Sequence, residues 1–182
     1  MTLGIKASKY EHLLFTEANS EPRSEFWIAE MSKRISETKT INLGYANYKK
    51  EGSLFNVFIR FVNLISAIQC FSFAKSGSPF MGFKANLLYK KTDFFNVKGF
   101  INHMKIKNGE TDLFIKDAAI KKNTTFTISK NSIVEVDTPK SFKNWFLKLQ
   151  EKTILKKNYK PKHRFLLHFF TFSKFIINEE IV

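Results

Sequence analysis

Hydrophobic and polar positions along this chain change period often enough to delimit most of its elements. Residues 5–11 read as the end of a helix, and HLLFT (12–16) is a short apolar run of the buried-strand kind. EANSEP (17–22) is a polar turn at its carboxyl end. Ser24 then stands as the N-cap of an amphipathic helix in which Trp27, Ile28, Met31 and Ile35 recur at helical spacing. TINLGYANY (40–48), rich in β-branched and aromatic residues, predicts a strand, and 49–52 a turn into a long helix over 53–74. GSPFMGF (77–83) predicts a loop, ANLLYKK (85–91) a strand, and 92–97 a short helix closed by Gly99 in a left-handed C-cap. A helix from Gly109, strands near 124–129 and 132–136, and a helix after Pro139 complete the order. No internal repeat, low-complexity segment or linker divides it. The class is mixed α/β, with polar residues at the carboxyl ends of strands, where open α/β sheets place their ligands.

Two stretches are more apolar than the rest: FNVFIRFVNLISAIQCFSFA (55–74) and FLLHFFTFSKFII (165–177). The first is long enough to cross a bilayer, but Arg60, Asn63 and Gln69 interrupt it; the second is too short to span. Each suits a membrane interface or a core helix, and the core helix is the first reading for 55–74. The amino terminus has no continuous apolar stretch of the kind that opens a signal peptide.

Composition narrows the picture in three ways. With 182 residues, 43% hydrophobic and 21 of them Phe, the chain can build one core of ordinary domain size. Cys70 is the only cysteine, which excludes an internal disulfide and suits a reducing compartment; its simplest role is a small buried apolar side chain. The net charge of +14 invites nucleic acid as a partner. Against it, Lys, Asn, Ile and Phe are abundant together, as AT-rich coding gives regardless of function. Nor is the charge one patch: Lys140 to Val182 holds ten Lys or Arg against three Glu, half the excess. An anionic membrane surface or a nucleotide phosphate accounts for it as well.

KNGETDLFIKDAAIKKN (107–123) places Glu110 and Asp112 at the start of a helix capped by Asn108 or Gly109. Carboxylates in a first turn offset the partial positive charge of its unpaired N–H groups, and that alone accounts for them unless the rest of the chain calls for a site. His12, His103, His163 and His168 have no metal-ligand spacing. The NTT sequon at 123–125 has no consequence in a cytosolic protein. Phe169, Phe170 and Phe172 suit a core or a membrane interface better than base stacking.

Taken together, KYEHLLFTEANSEP, GYANYKKEGSLFNVFIRFVNLISAIQCFSFAKSGSPFMGFKANLLYKK and GFINHMKIKNGETDLFIKDAAIKKNT form an ordered series. The series resembles the family-2 glycosyltransferases of the GT-A fold, above all their bacterial membrane-associated branch. It runs from about residue 5 to about residue 170. The resemblance implies a partial GT-A domain over 1–160, a mixed sheet flanked by helices, followed by a basic and apolar segment over 161–182 at the cytoplasmic face of the membrane. It implies an inverting transferase that moves a sugar from a nucleotide-sugar donor to the hydroxyl of a glycan or lipid-linked acceptor. Glu110 matches the family's catalytic base and Asp112 the carboxylate that follows it. Glu17 and Asn19 occupy the two acidic positions of the Asp-x-Asp motif, which binds the donor through a divalent cation, Mg or Mn. His103 falls where the family often has a histidine lining its cleft.

The chain departs from that pattern at three places. Asn19 replaces a carboxylate with a neutral amide, which lowers cation affinity. Lys148, Gln150, Glu151 and Lys152 stand where the family carries an arginine-bearing motif after the residue matching Trp145. The resemblance also starts inside the family pattern, so the nucleotide-binding half precedes Met1 and is a partner for this chain. The expectations are that Glu17 and Glu110, 93 positions apart, face one cleft, and that the chain alone transfers sugar poorly. Weak membrane association is expected through the lysines of 140–164 and the apolar face of 165–177. A reading from another class stays open: a noncatalytic basic remnant that binds anionic membrane, nucleic acid or a partner chain.

Overall fold

The computed structural model describes residues 1–103, 106 and 109–179, without the side chains of 102 and 171–179. Asn108, one of the two expected caps, and Phe172 as a side chain therefore lie outside the description, as do residues 180–182.

The chain begins with α1 (Thr2–Ala7), β1 (His12–Phe15), β2 (Ser20–Pro22) and α2 (Trp27–Ser32), then β3 (Ile41–Gly44) and β4 (Ala46–Tyr48). The long α3 (Leu54–Lys75) follows, capped by Ser53, whose Oγ accepts from Asn56 N at 3.1 Å. Next come β5 (Leu87–Lys90), α4 (Lys91–Asn96) and α5 (Glu110–Ala118), then β6 (Thr124–Thr127) and β7 (Val134–Val136). The last elements are α6 (Phe142–Leu155), capped by Ser141, and α7 (Pro161–Glu179).

The strands form two mixed sheets. One runs β1-β5-β3-β6, with β3 antiparallel to β5 and parallel to β6; the other runs β2-β7-β4, with β7 antiparallel to β2 and parallel to β4. The period-two pattern of the first sheet sorts its side chains onto two cores. Leu13, Phe15, Ile41, Leu43, Leu87 and Tyr89 face α3 and α5, while Leu14 and Leu88 face Trp27 and Met31 of α2.

Several elements differ from the sequence reading, each for a local reason. The stretch 40–48 is two strands in two sheets, because the chain changes sheet at Tyr45. The strands expected near 124–129 and 132–136 are the shorter β6 and β7, in different sheets. The first helix ends at Ala7, sooner than expected, and the polar turn 17–22 ends in β2. Ser24 does not cap α2: its Oγ accepts from Phe26 N in the turn before the helix, and Ile28 is exposed. Gly99 does take the left-handed conformation, with φ 59°. Most consequential, α3 is not enclosed by the core.

Asn86 joins the two sheets. It is fully buried; its Nδ2 donates to Tyr45 O at 2.8 Å and Ser132 O at 2.7 Å, and its Oδ1 accepts from Trp27 Nε1 at 3.0 Å. Gly44 lies against it so closely that a Cβ would stand 2.4 Å from Asn86 Cγ. Asn86→Ala leaves Trp27 Nε1 and Ser132 O without partners, and the expected loss is about 2–5 kcal/mol in denaturant unfolding.

His163 docks α7. It is buried, stacks on Phe80 with ring centroids 4.4 Å apart, and shares a 3.0 Å hydrogen bond with Ser78 Oγ. Burial, then Lys160, Lys162 and Lys116, holds its pKa below the ordinary 6.5. The unfolded chain thus takes up the proton first, so His163 contributes stability above pH 6.5 that is lost as pH falls through the folded value. His163→Gln should remove that part of the pH dependence, measured as the difference between the two proteins' unfolding free energies across the mildly acidic range.

Candidate functional site

An open cleft of about 350 Å3 lies where the two sheets meet. Six parts of the chain line it: the β1–β2 turn with Glu17 and Asn19, β4 with Ala46 to Tyr48, α3 with Asn63, the loop before β5 with Gly82 to Ala85, α5 with Thr111 and Asp112, and α6 with Lys148, Glu151 and Lys152. Val136 and Leu155 complete the wall.

Ser20 shapes the turn that carries Glu17 and Asn19. Its hydroxyl donates to Glu17 O at 2.8 Å and accepts from Glu17 N at 3.0 Å, while Asp137 N donates to Asn19 O at 2.9 Å. Pairing of β2 with β7 thereby fixes the turn against the cleft. The Glu17 side chain faces Lys84, with Oε1 3.6 Å from Nζ, in a partly exposed pair worth little to stability. Burial, then the charge of Glu17, raises the pKa of the nearby Tyr48 phenol.

Asp112 is buried in the cleft floor at 7% exposure, with a donor on each oxygen. Gly82 N donates to Oδ1 at 3.2 Å and Tyr159 OH to Oδ2 at 2.5 Å. Gly82 can come this close only without a side chain, since a Cβ there would meet Ile115 Cδ1 at 2.5 Å. Burial first, then the charge of Asp112, raises the Tyr159 phenol far above its usual value and keeps it a donor. A carboxylate has about four lone-pair sites, so two remain for a ligand.

The four expected site positions divide three to one. Glu17, Asn19 and Asp112 line this cleft; Glu110 does not. Glu110 lines a void of about 10 Å3 with Phe15, Lys84, Tyr89 and Phe114, and its Oε2 is buried with no hydrogen-bond partner among the described residues. The reason is helical: residues two apart in a helix of about 3.6 per turn point some 200° apart. Thr111, between them, touches both spaces. His103 hydrogen-bonds Asp117 Oδ2 at 2.6 Å and is not among the cleft's lining residues.

Sequence reasoning missed Lys84, Asn47, Gly82 and Tyr159. Asn63 carried a signal, as a polar break in an apolar stretch, and so did Lys148, Glu151 and Lys152, which stand at the positions of the expected arginine motif. Lys152 Nζ also lies 5.9 Å from the centre of the Phe83 ring. Cys70 lies behind the floor; its thiol donates to Met81 O at 3.2 Å, and burial pushes its pKa up to about 12, which makes it inert at neutral pH.

Among the described residues no three His, Cys, Asp or Glu gather to hold a divalent cation. Glu17 and Asn19 offer one carboxylate and one amide, Lys84 already stands at that carboxylate, and each oxygen of Asp112 keeps a lone pair beside its one donor. Glu17, Asn19 and Asp112 are oxygen donors the cleft offers a cation. The cleft as a whole presents three lysines, three acids and three asparagines, suited to a ligand with both hydroxyl and anionic groups. No protein-family model matches this chain, and no curated protein matches it.

The Asp112–Tyr159 bond can be measured. Tyr159→Phe removes a donor from a buried carboxylate and should cost about 1.5–3 kcal/mol in unfolding free energy. Combined with Asp112→Asn, the loss should be smaller than the sum of the two single variants, because they share one interaction.

Proposed function

We propose that this cleft is the acceptor-side part of a glycosyltransferase of the GT-A type, acting on a nucleotide-sugar donor. The observation that carries the reading is convergence. Glu17 and Asn19, together with Asp112, which lies 93 positions after Asn19, were singled out by their resemblance to a donor-binding motif and a catalytic segment, and line one cleft at the junction of the sheets. The cleft has the groups such a transfer uses. Lys84, Lys148 and Lys152 offer positive charge to a leaving diphosphate, alongside any divalent cation that Glu17 and Asn19 would hold. Asn47 and Asn63 offer amide groups for sugar hydroxyls.

In this reading Asp112 takes the base role, because it is the α5 carboxylate that faces the cleft. Gly82 N and Tyr159 OH orient it, and a remaining lone pair accepts the proton of the acceptor hydroxyl as that oxygen attacks the anomeric carbon. Glu110, which the resemblance aligns with the base, is turned to the adjoining void.

Saturation-transfer NMR with a panel of nucleoside diphosphates and nucleotide sugars tests the reading on the chain joined to the nucleotide-binding half of a family-2 enzyme. Binding is expected, weakened about tenfold by Lys148→Ala with Lys152→Ala, since each removes a charge-assisted contact. An affinity unchanged by that double variant would overturn it. Turnover is then measured with the same joined chain. Asp112→Asn should lower it roughly a hundredfold or more, the usual cost of losing a positioned base, while Glu110→Gln should leave most of it. The opposite ranking would return the base role to Glu110.

A further inference from the structure

Helix α3 faces the wrong way for a helix of a water-soluble domain. Over residues 54–63 its polar side chains point inward beside the buried Ile59: Asn56 Nδ2 donates to Lys49 O at 2.9 Å, Arg60 to Tyr48 O at 3.0 Å and Asn63 Nδ2 to Ala46 O at 2.8 Å. Its outward stripe is Leu54, Val57, Phe58, Phe61, Leu64 and Ile68, between 45% and 89% exposed. An amphipathic helix in water places these two faces the other way round. The apolar surface continues onto α6. Phe55 and Phe58 contact Trp145 with ring centroids 6.4 and 5.5 Å apart, Phe142 lies 6.2 Å from Phe55, and Phe146 stacks on Phe142 at 6.1 Å. Phe142 and Phe146 are themselves 58% and 43% exposed.

The inversion follows from the sheet. β4 pairs with β7 along one edge. On its other edge the carbonyls of Ala46 and Tyr48 receive their hydrogen bonds from α3 side chains instead of a further strand, and Asn56 ties the helix to Lys49 O just past the strand's end. The spacings match: seven helical residues, 56 to 63, advance about 10 Å, as do three strand residues, 46 to 49. A helix tied at three points along 10 Å lies flat on the domain and cannot stand across a bilayer. Among the described residues it is nonetheless the helix whose length and composition would allow a crossing, with only 17% of its most apolar 18 residues buried. A continuous apolar face of this size on a soluble domain marks an interaction surface.

We propose that the outward face of α3, with Phe142 and Phe146 of α6, is seated in the surface of an anionic lipid bilayer. Charge selects this occupant. Lys140 and Lys143, both exposed, border Phe142, and residues 140–164 carry nine Lys or Arg against one Glu. Lysines beside exposed aromatic and aliphatic side chains are the composition of a helix lying in the headgroup plane. A second copy of the chain on this face would bring two such cationic segments together, which like-charge repulsion opposes. The groove between α3 and α6 shares Tyr48, Asn63, Lys148 and Lys152 with the cleft, so the cleft opens beside the lipid-facing surface. The proposal does not depend on the enzymatic reading.

Co-sedimentation of the full chain with phosphatidylcholine vesicles, with and without phosphatidylglycerol, tests it. Binding should need the anionic lipid and fall as salt rises. Phe58→Glu with Phe61→Glu should lower the partition constant about tenfold or more; because Phe58 also packs on Trp145, Phe61→Glu alone is measured beside it and should lower binding in the same direction with thermal unfolding retained. Lys140→Glu with Lys143→Glu should flatten the salt dependence. Brominated lipid should quench the fluorescence of Trp145, read as the part of the emission lost in Trp145→Phe. Three results would overturn the proposal: unchanged binding by the Phe58/Phe61 variant, loss of binding through Phe165→Glu with Phe169→Glu in α7 alone, or a dimer in lipid-free buffer that the Phe58/Phe61 variant dissociates.

Discussion

The three side-chain hydrogen bonds of Asn86 are the constraint on which the rest of this structure hangs. Two small sheets, of four and three strands, meet where the chain passes from β3 to β4 at Tyr45, packed through Ala46, Leu88 and Val134 with Trp27 and Met31. A buried amide bridges them, reaching backbone oxygens on both sides of the junction and the indole of α2. A fully satisfied buried amide fixes geometry more narrowly than apolar packing, because each bond has a direction. The cleft inherits that geometry. Its walls are β4, which starts one residue after Tyr45, and the loop 82–85, which ends at Asn86. Gly44 belongs to the same constraint, since any side chain there would displace the amide.

A second constraint is the unpaired edge of β4. Strand edges in water are covered, charged or paired, and this one is covered by a helix that brings its own donors. Covering the edge with Asn56, Arg60 and Asn63 determines which face of α3 is left outside, and that face is apolar. The strand pairing, the polar interruptions of the apolar stretch and the exposed stripe are thus one fact seen at three levels.

Hydrophobic pattern made the element order legible where each element is buried on a face of its own. The short apolar runs at 12–16 and 85–91 are strands, and Gly99 needs its left-handed φ in the place expected. The pattern could not show that 40–48 serves two sheets, because Gly44 and Tyr45 leave no break in β propensity there. Nor could it orient α3: the apolar periodicity is real, but a helix whose polar face is consumed by a strand edge has the same pattern as one whose apolar face is consumed by a core. At the cleft, a carboxylate pair two residues apart was visible at once. That only one member could face a given cleft follows from helical geometry and needed the helix start at Glu110. Lys84, Gly82 and Tyr159 gave no signal, since a lone lysine, glycine or tyrosine acquires a role only from what the fold brings to it.

Tyr159 makes the cleft answer to the carboxyl-terminal part of the chain. It sits between α6 and α7, and its hydroxyl holds the oxygen of Asp112 that Gly82 does not. Its ring packs at 5.1 Å on Phe80, which on its other contact stacks with His163 at the start of α7. The run Asp112, Tyr159, Phe80, His163 is continuous, so the orientation of the cleft carboxylate and the docking of α7 are coupled through two aromatic contacts and one hydrogen bond. The Asp112 carboxylate thus rests on two supports, the backbone of the loop at Gly82 and the segment between α6 and α7, and only the second is continuous with the last helix.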